Sequence, residues 1–101
     1  MSRDQYPTLW RFLGAYLHQD WRLDYADPLN AVSDFLAAEP TSASPLAHEI
    51  DRVLASTSTS VEAERLVVDL GSFYLPSLDG KDARVWLAAL HARCGVPPLH
   101  R

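Results

Sequence analysis

Apolar residues recur at helical spacing through almost the whole chain. Leu9, Phe12, Leu13, Tyr16 and Leu17 stand at i, i+3, i+4, i+7 and i+8, which puts them in one stripe on a helix. Pro7 suits the first turn of that helix, where its missing N–H costs nothing. Gly14 inside the stripe predicts the close approach of another backbone, since a helical glycine otherwise costs about 1 kcal/mol relative to alanine. Trp21 continues the apolar face one turn beyond Leu17, but the polar run His18-Gln19-Asp20 interrupts it. A kink is expected there, with residues 20–25 forming a short helical turn or a loop.

Four further helices follow from the same reading. Asp27-Pro28 is a cap followed by proline at the first helical position, and Leu29, Val32 and Leu36, supported by Phe35, give the second helix its buried side up to about Glu39. Residues 40–45 read as a loop whose last two residues, Ser44-Pro45, repeat that start signal. Leu46, Ile50, Val53 and Leu54 then form a third stripe, with His48, Glu49, Asp51 and Arg52 expected on the exposed side. Thr59 and Glu62 match a capping box that opens a fourth helix lined by Ala63, Leu66, Val67 and Leu70 and stopped by Gly71. The apolar connector Phe73-Tyr74-Leu75-Pro76 should lie down on the core. After the Asp79-Gly80 turn, Asp82 can cap a last helix that carries Ala83, Trp86, Leu87, Leu90 and Cys94 inward and ends at Gly95 and Pro97-Pro98. No run alternates strictly and no repeat is found. The fold class is therefore all-α, a compact bundle of about five helices with short loops, in one domain over residues 1–101.

Composition sharpens this picture. A 48% apolar chain with three Trp, four Tyr and three Phe has ample core material, and 101 residues suffice to bury roughly 60–70% of the unfolded surface. The N-terminal residues lack a basic segment followed by an apolar run, and no stretch approaches 18 apolar residues, so a cytoplasmic protein off the membrane is expected. Cys94 is the single cysteine, which leaves no intrachain disulfide and no zinc site of several thiolates.

The net charge is −4, unevenly spread: residues 1–40 hold six acids and three bases, residues 41–70 five and two, and residues 71–101 two and four. An acidic body argues against nucleic acid as partner, because a polyanion needs Lys and Arg at its phosphates, and suits a basic protein instead. The same charge is also ordinary for a soluble protein.

Candidate chemistry is sparse. There is no GxSxG, P-loop or GxGxxG, and Cys94 reads as core or rim, so an enzyme is not expected. His18 with Asp20 could start a metal or acid–base site, but His48, His91 and His100 are scattered without ligand spacing, and no cofactor or metal is called for. His18-Gln19-Asp20 can instead satisfy a helix end, where a histidine is favoured by the dipole and Trp21 packs beneath, or contact a partner. Asp20, Asp24 and Asp27, at spacings of four and three with Trp21 and Tyr25 among them, have an interface composition of aromatic anchor and charge; a solvated face with Asp27 merely capping is the alternative. Glu62, Glu64 and Asp69 form a second acidic patch, of which the first two suit the start of their helix.

The words GAYLHQDW, followed by Asp24 and Asp27-Pro28, resemble the immunity proteins of bacterial contact-dependent growth inhibition systems, in a small all-helical group with a similar segment. The likeness continues through Ala31-Val32, Phe35-Leu36, Glu49-Ile50-Asp51, Leu70-Gly71 with Tyr74, and Asp79-Gly80 before Trp86-Leu87, and so covers most of the chain. It implies a protein that binds the toxic C-terminal domain of a cognate effector as a heterodimer. Such toxins are often nucleases, whose basic cleft an acidic inhibitor can cover. On that resemblance Asp20, Asp24 and Asp27 would supply charge and Trp21 or Tyr25 an apolar anchor. If HQDW marks the group it belongs to the scaffold, which moves the contact surface toward Asp34, Glu39, Glu49, Asp51 and Asp69. A helical adaptor or regulatory module without a toxin is the alternative.

Overall fold

Each of the five periodic stretches is a helix in the computed structural model, which describes residues 2–95. The expected stop at Pro97-Pro98, and His100, lie outside the described residues. A single turn, α1 (Ser2–Gln5), precedes α2 (Pro7–Tyr16). There follow a short α3 (Trp21–Asp24), α4 (Pro28–Ala38), α5 (Ala43–Ser56), α6 (Ser60–Asp69) and α7 (Ala83–Arg93). Two 3₁₀ turns, Pro40–Ser42 and Pro76–Asp79, complete the chain, and no strand occurs among the described residues.

The kink after α2 is present. The helix ends at Tyr16, Leu17 N–H still reaches Leu13 O at 3.0 Å, and Trp21 N–H then bonds His18 O at 3.0 Å to start α3. Caps close three helices as their sequences predict. Asp27 Oδ1 accepts from Leu29 N–H at 2.8 Å, Thr59 Oγ1 from Glu62 N–H at 3.2 Å, and Asp82 Oδ1 from Arg84 N–H at 2.7 Å. The capping box is shifted at its other half, because Glu62 Oε1 takes the N–H of Ser58, at 2.6 Å, one residue before the cap.

Two elements depart from the expectation. The third long helix starts at Ala43, so Ser44 and Pro45 lie within its first turn rather than capping it. The reason is that Pro40 opens a 3₁₀ turn leading into the helix, while the Ser42 hydroxyl is drawn sideways to Glu39 Oε1 and Arg11 Nη2. In α4 the fully buried residues are Ala31, Val32 and Phe35, with Leu29 and Leu36 at the margin, because the helix packs against both α2 and α7.

The core is continuous. Helix α5 lies against α7 and α2, and α7 also packs on α4 and α6. Leu9, Phe12 and Leu13 of α2 meet Ile50 and Val53 of α5 and Leu87 and Leu90 of α7 in one cluster. An aromatic chain ties the kink to the last helix: Trp21 meets Tyr74 edge-on at 5.4 Å between centroids, and Tyr74 meets Trp86 at 5.1 Å. The crowding expected at Gly14 is not found: a Cβ there would meet nothing within 4 Å and the residue is exposed, although Gly71 lies nearby, where a Cβ would sit 3.9 Å from Gly14 Cα in ordinary contact. Gly71 also holds φ at +104°, which ends α6 and turns the chain into the connector.

Candidate partner-binding surface

The segment 20–27 uses its aromatic residues inside. Trp21 is 3% exposed, beneath the polar bend and under the Arg22 guanidinium, which stands 4.5 Å from its ring. Tyr25 is half-buried and its hydroxyl donates to Asp34 Oδ2 at 2.9 Å; burial first, and that bond second, push the phenol up to about 12. The anchors expected of Trp21 and Tyr25 are thus committed to the protein itself. The residue that the α3 turn presents outward is Leu23, 85% exposed, with Asp20 and Asp24 exposed on either side in sequence. His18 fixes this bend: its Nδ1 accepts from Asp20 N–H at 3.0 Å, and its Nε2 lies 3.6 Å from Asp24 Oδ2. The histidine thus brackets the turn from both ring nitrogens.

The remaining candidate acids separate. Glu49, expected on the exposed side of its helix, is 6% exposed and accepts the N–H groups of Thr8 at 3.2 Å and Leu9 at 2.8 Å. It caps α2, whose own N-cap residue Tyr6 offers no side-chain acceptor. Asp51 pairs with His91 of α7, 3.2 Å from its Nε2. Glu39 accepts from Arg11 at 2.8 Å, and that guanidinium holds its carboxyl below the usual carboxylate range. Asp34 is exposed near Tyr25, whereas Asp69 is exposed at the end of α6 and makes no ion pair among the described residues. The structure therefore gathers Asp20, Asp24, Asp27 and Asp34 around α3 and the first turns of α4, and leaves Glu39, Glu49, Asp51 and Asp69 apart from them.

Sequence reading missed how the connector after Gly71 is laid down. Ser72, Tyr74 and Pro76 are buried while Phe73 between them is 61% exposed. The period of two is hidden in the sequence because both sides of this extended segment are apolar. Tyr74 points its hydroxyl toward the Asp79 carboxylate without closing a hydrogen bond of good geometry; burial first and that carboxylate second push the phenol well up. Phe73 N–H donates to Leu17 O at 2.9 Å, so the connector starts beside the same polar bend that carries His18 and Asp20.

Residues 5–94 match the family model described as CdiI immunity protein. The chain belongs to the CdiI immunity protein family. The match runs from the end of α1 through α7. CdiI immunity proteins neutralise the toxins of contact-dependent growth inhibition, and the surface that matters in such a protein is one that binds another protein. No curated protein and no solved structure matches the chain.

Proposed function

We propose that this CdiI family member neutralises a nuclease toxin, the C-terminal domain of its cognate effector, by forming a heterodimer with it in the cytoplasm of the protected cell. The observation that carries the reading is the α3 turn, where the carboxylates of Asp20 and Asp24 flank an outward Leu23. A nuclease must present cationic side chains to a polyanion, and an acidic projection can occupy that cleft before the substrate does. Opposed charge also speeds encounter and disfavours the wrong partner. Family membership favours this reading over an adaptor without a toxin. Among the described residues no helix is long and apolar enough to cross a membrane.

Calorimetric titration into the toxin domain encoded beside this chain, at 50 mM and 500 mM salt, tests the proposal. Nanomolar or tighter binding with association that slows steeply in high salt is the expected result. Salt-insensitive association would remove the electrostatic part, and the absence of binding would remove the partner. Replacing Asp20 and Asp24 together by Asn should slow association at low salt and shift the melting temperature little, since both carboxylates are exposed and the pair of Asp24 with His18 is solvent-screened.

A further inference from the structure

Asp20 stands at the N-cap of α3, yet its own side chain bonds none of the first amides of that turn. Its backbone is tied instead to the residue two places earlier, because Asp20 N–H donates to His18 Nδ1 at 3.0 Å. The direction of a backbone N–H is set by the peptide plane, so the ring atom opposite it must be an acceptor. A ring carbon cannot take that place, and neither can a nitrogen that carries a proton. The bond therefore selects one of the three forms of the imidazole: neutral, with its single proton on Nε2. That proton lies on the side of Asp24, whose Oδ2 is 3.6 Å from Nε2. One ring thus spans the turn from its cap to its last residue, with the exposed Leu23 inside the span.

The ring is carried on a fixed backbone. His18 O accepts from Trp21 N–H at 3.0 Å, Trp21 is buried beneath the bend, and Leu17 O accepts from Phe73 N–H at 2.9 Å. The charges around it are few. On α3 they are Asp20, Arg22 and Asp24, with the Arg22 guanidinium laid over the Trp21 ring. The end of α2 and the residue after it, 14–17, carry none, and Tyr16 there packs against Phe12 and Phe35. The connector 71–75 brings only the buried Tyr74 phenol, which is turned toward Asp79. With His18 neutral the turn therefore holds one net negative charge, and with His18 protonated it holds none. Protonation also puts a hydrogen on Nδ1, which ends the bond from Asp20 N–H and draws the imidazolium to the Asp24 carboxylate.

Resting on the reading of the α3 turn as the toxin-facing projection, we infer that neutral His18 is the positioning residue of that projection, and that protonating it disarms the turn toward a cationic partner. Geometry and charge are lost together: the carboxylates are no longer held by the bracket, and the field that steers the encounter is cancelled. Histidine is the side chain that changes charge roughly between pH 5 and 8. Association with the toxin steps down there as pH falls.

The test measures association and dissociation rates of the toxin domain encoded beside this chain with the full-length parent, His18→Asn and His18→Ala, at low salt, near pH 8 and near pH 5.5. Asparagine offers Oδ1 to the amide two residues on and does not titrate. At the higher pH, His18→Asn should bind within about twofold of the parent and His18→Ala at least threefold more weakly. On acidification, association of the parent should slow at least threefold more than that of His18→Asn, a difference in which titration of the toxin, of His48 and of His91 cancels. An equal pH step in these two forms would overturn the inference, as would a His18→Ala that binds like the parent. The pH comparison needs only the parent and His18→Asn, so it decides even if His18→Ala fails to fold. Nitrogen-15 shifts of the ring in the free chain read the same geometry without a toxin: near pH 8, Nδ1 bare and Nε2 protonated is expected, and the other tautomer would overturn the inference. Tight binding by the parent with no dependence on His18 sinks this inference alone, whereas a parent that binds no toxin removes the immunity reading with it.

Discussion

At Glu49 the apolar stripe of α5 gives way to a carboxylate that is as buried as the residues around it. Its two acceptor bonds replace the cap that Tyr6 cannot provide, and they complement the positive end of α2 at the same time. Glu49→Ala should therefore cost about 2–3 kcal/mol, because it leaves buried N–H groups of Thr8 and Leu9 without a partner. Urea unfolding followed by circular dichroism would measure it; a loss under about 0.5 kcal/mol would mean water replaces the carboxylate. Glu49→Lys cannot serve as a surface probe of toxin binding, since it would place an ammonium group against a helix N-terminus. Asp51 two residues later is half-exposed and can be changed without that cost, apart from its pair with His91.

Among the elements, what the sequence makes legible is local. The stripes of α2, α5 and α6, the caps at Asp27, Thr59 and Asp82, and the stop at Gly71 each depend on residues within four positions of one another, and all are found where the spacing puts them. The links between elements are not legible, because each joins residues far apart in the chain. Arg84 of α7 donates from Nη1 to Leu54 O at 2.9 Å and Thr57 O at 2.8 Å, closing the C-terminal end of α5. Glu64 of α6 holds Ser77 N–H at 2.8 Å and its hydroxyl at 2.7 Å, and so pins the second 3₁₀ turn. Arg93 reaches Ser33 Oγ at 3.0 Å across to α4. For the candidate surface the same division holds. The concentration of acids at Asp20, Asp24 and Asp27 is visible as spacing, but the exchange of Trp21 for Leu23 as the outward residue depends on where the chain bends. The apolar run Phe73-Tyr74-Leu75-Pro76 does not say which of its members face water, since period-two patterning needs a polar side to be seen.

For the molecule as a whole, protons held more tightly in the folded state than in the unfolded chain set its behaviour in alkali. Burial pushes the Cys94 thiol from an ordinary 9.0 up to about 11, and Tyr25 is pushed from 10.0 up to about 12. Both shifts are upward, so between these limits the folded state binds more protons than the unfolded one and stability falls as pH rises. The contribution is complete below pH 9, fades first through Cys94 between 9 and 11, and then through Tyr25 between 10 and 12. Melting temperatures should decline from pH 9 upward, and Cys94→Ala should delay the onset to pH 10; a flat profile to pH 11 would contradict the burial of these groups. Helix α5 sets a different limit. It is packed between α2 and α7, supplies Glu49 to the start of one and receives Arg84 from the other, so it cannot open without undoing both neighbours. Deuterium exchange should record this as a hierarchy: amides of α3 exchange by local fraying, while those around Ile50 and Val53 wait for the molecule to come apart, with protection equal to its global stability.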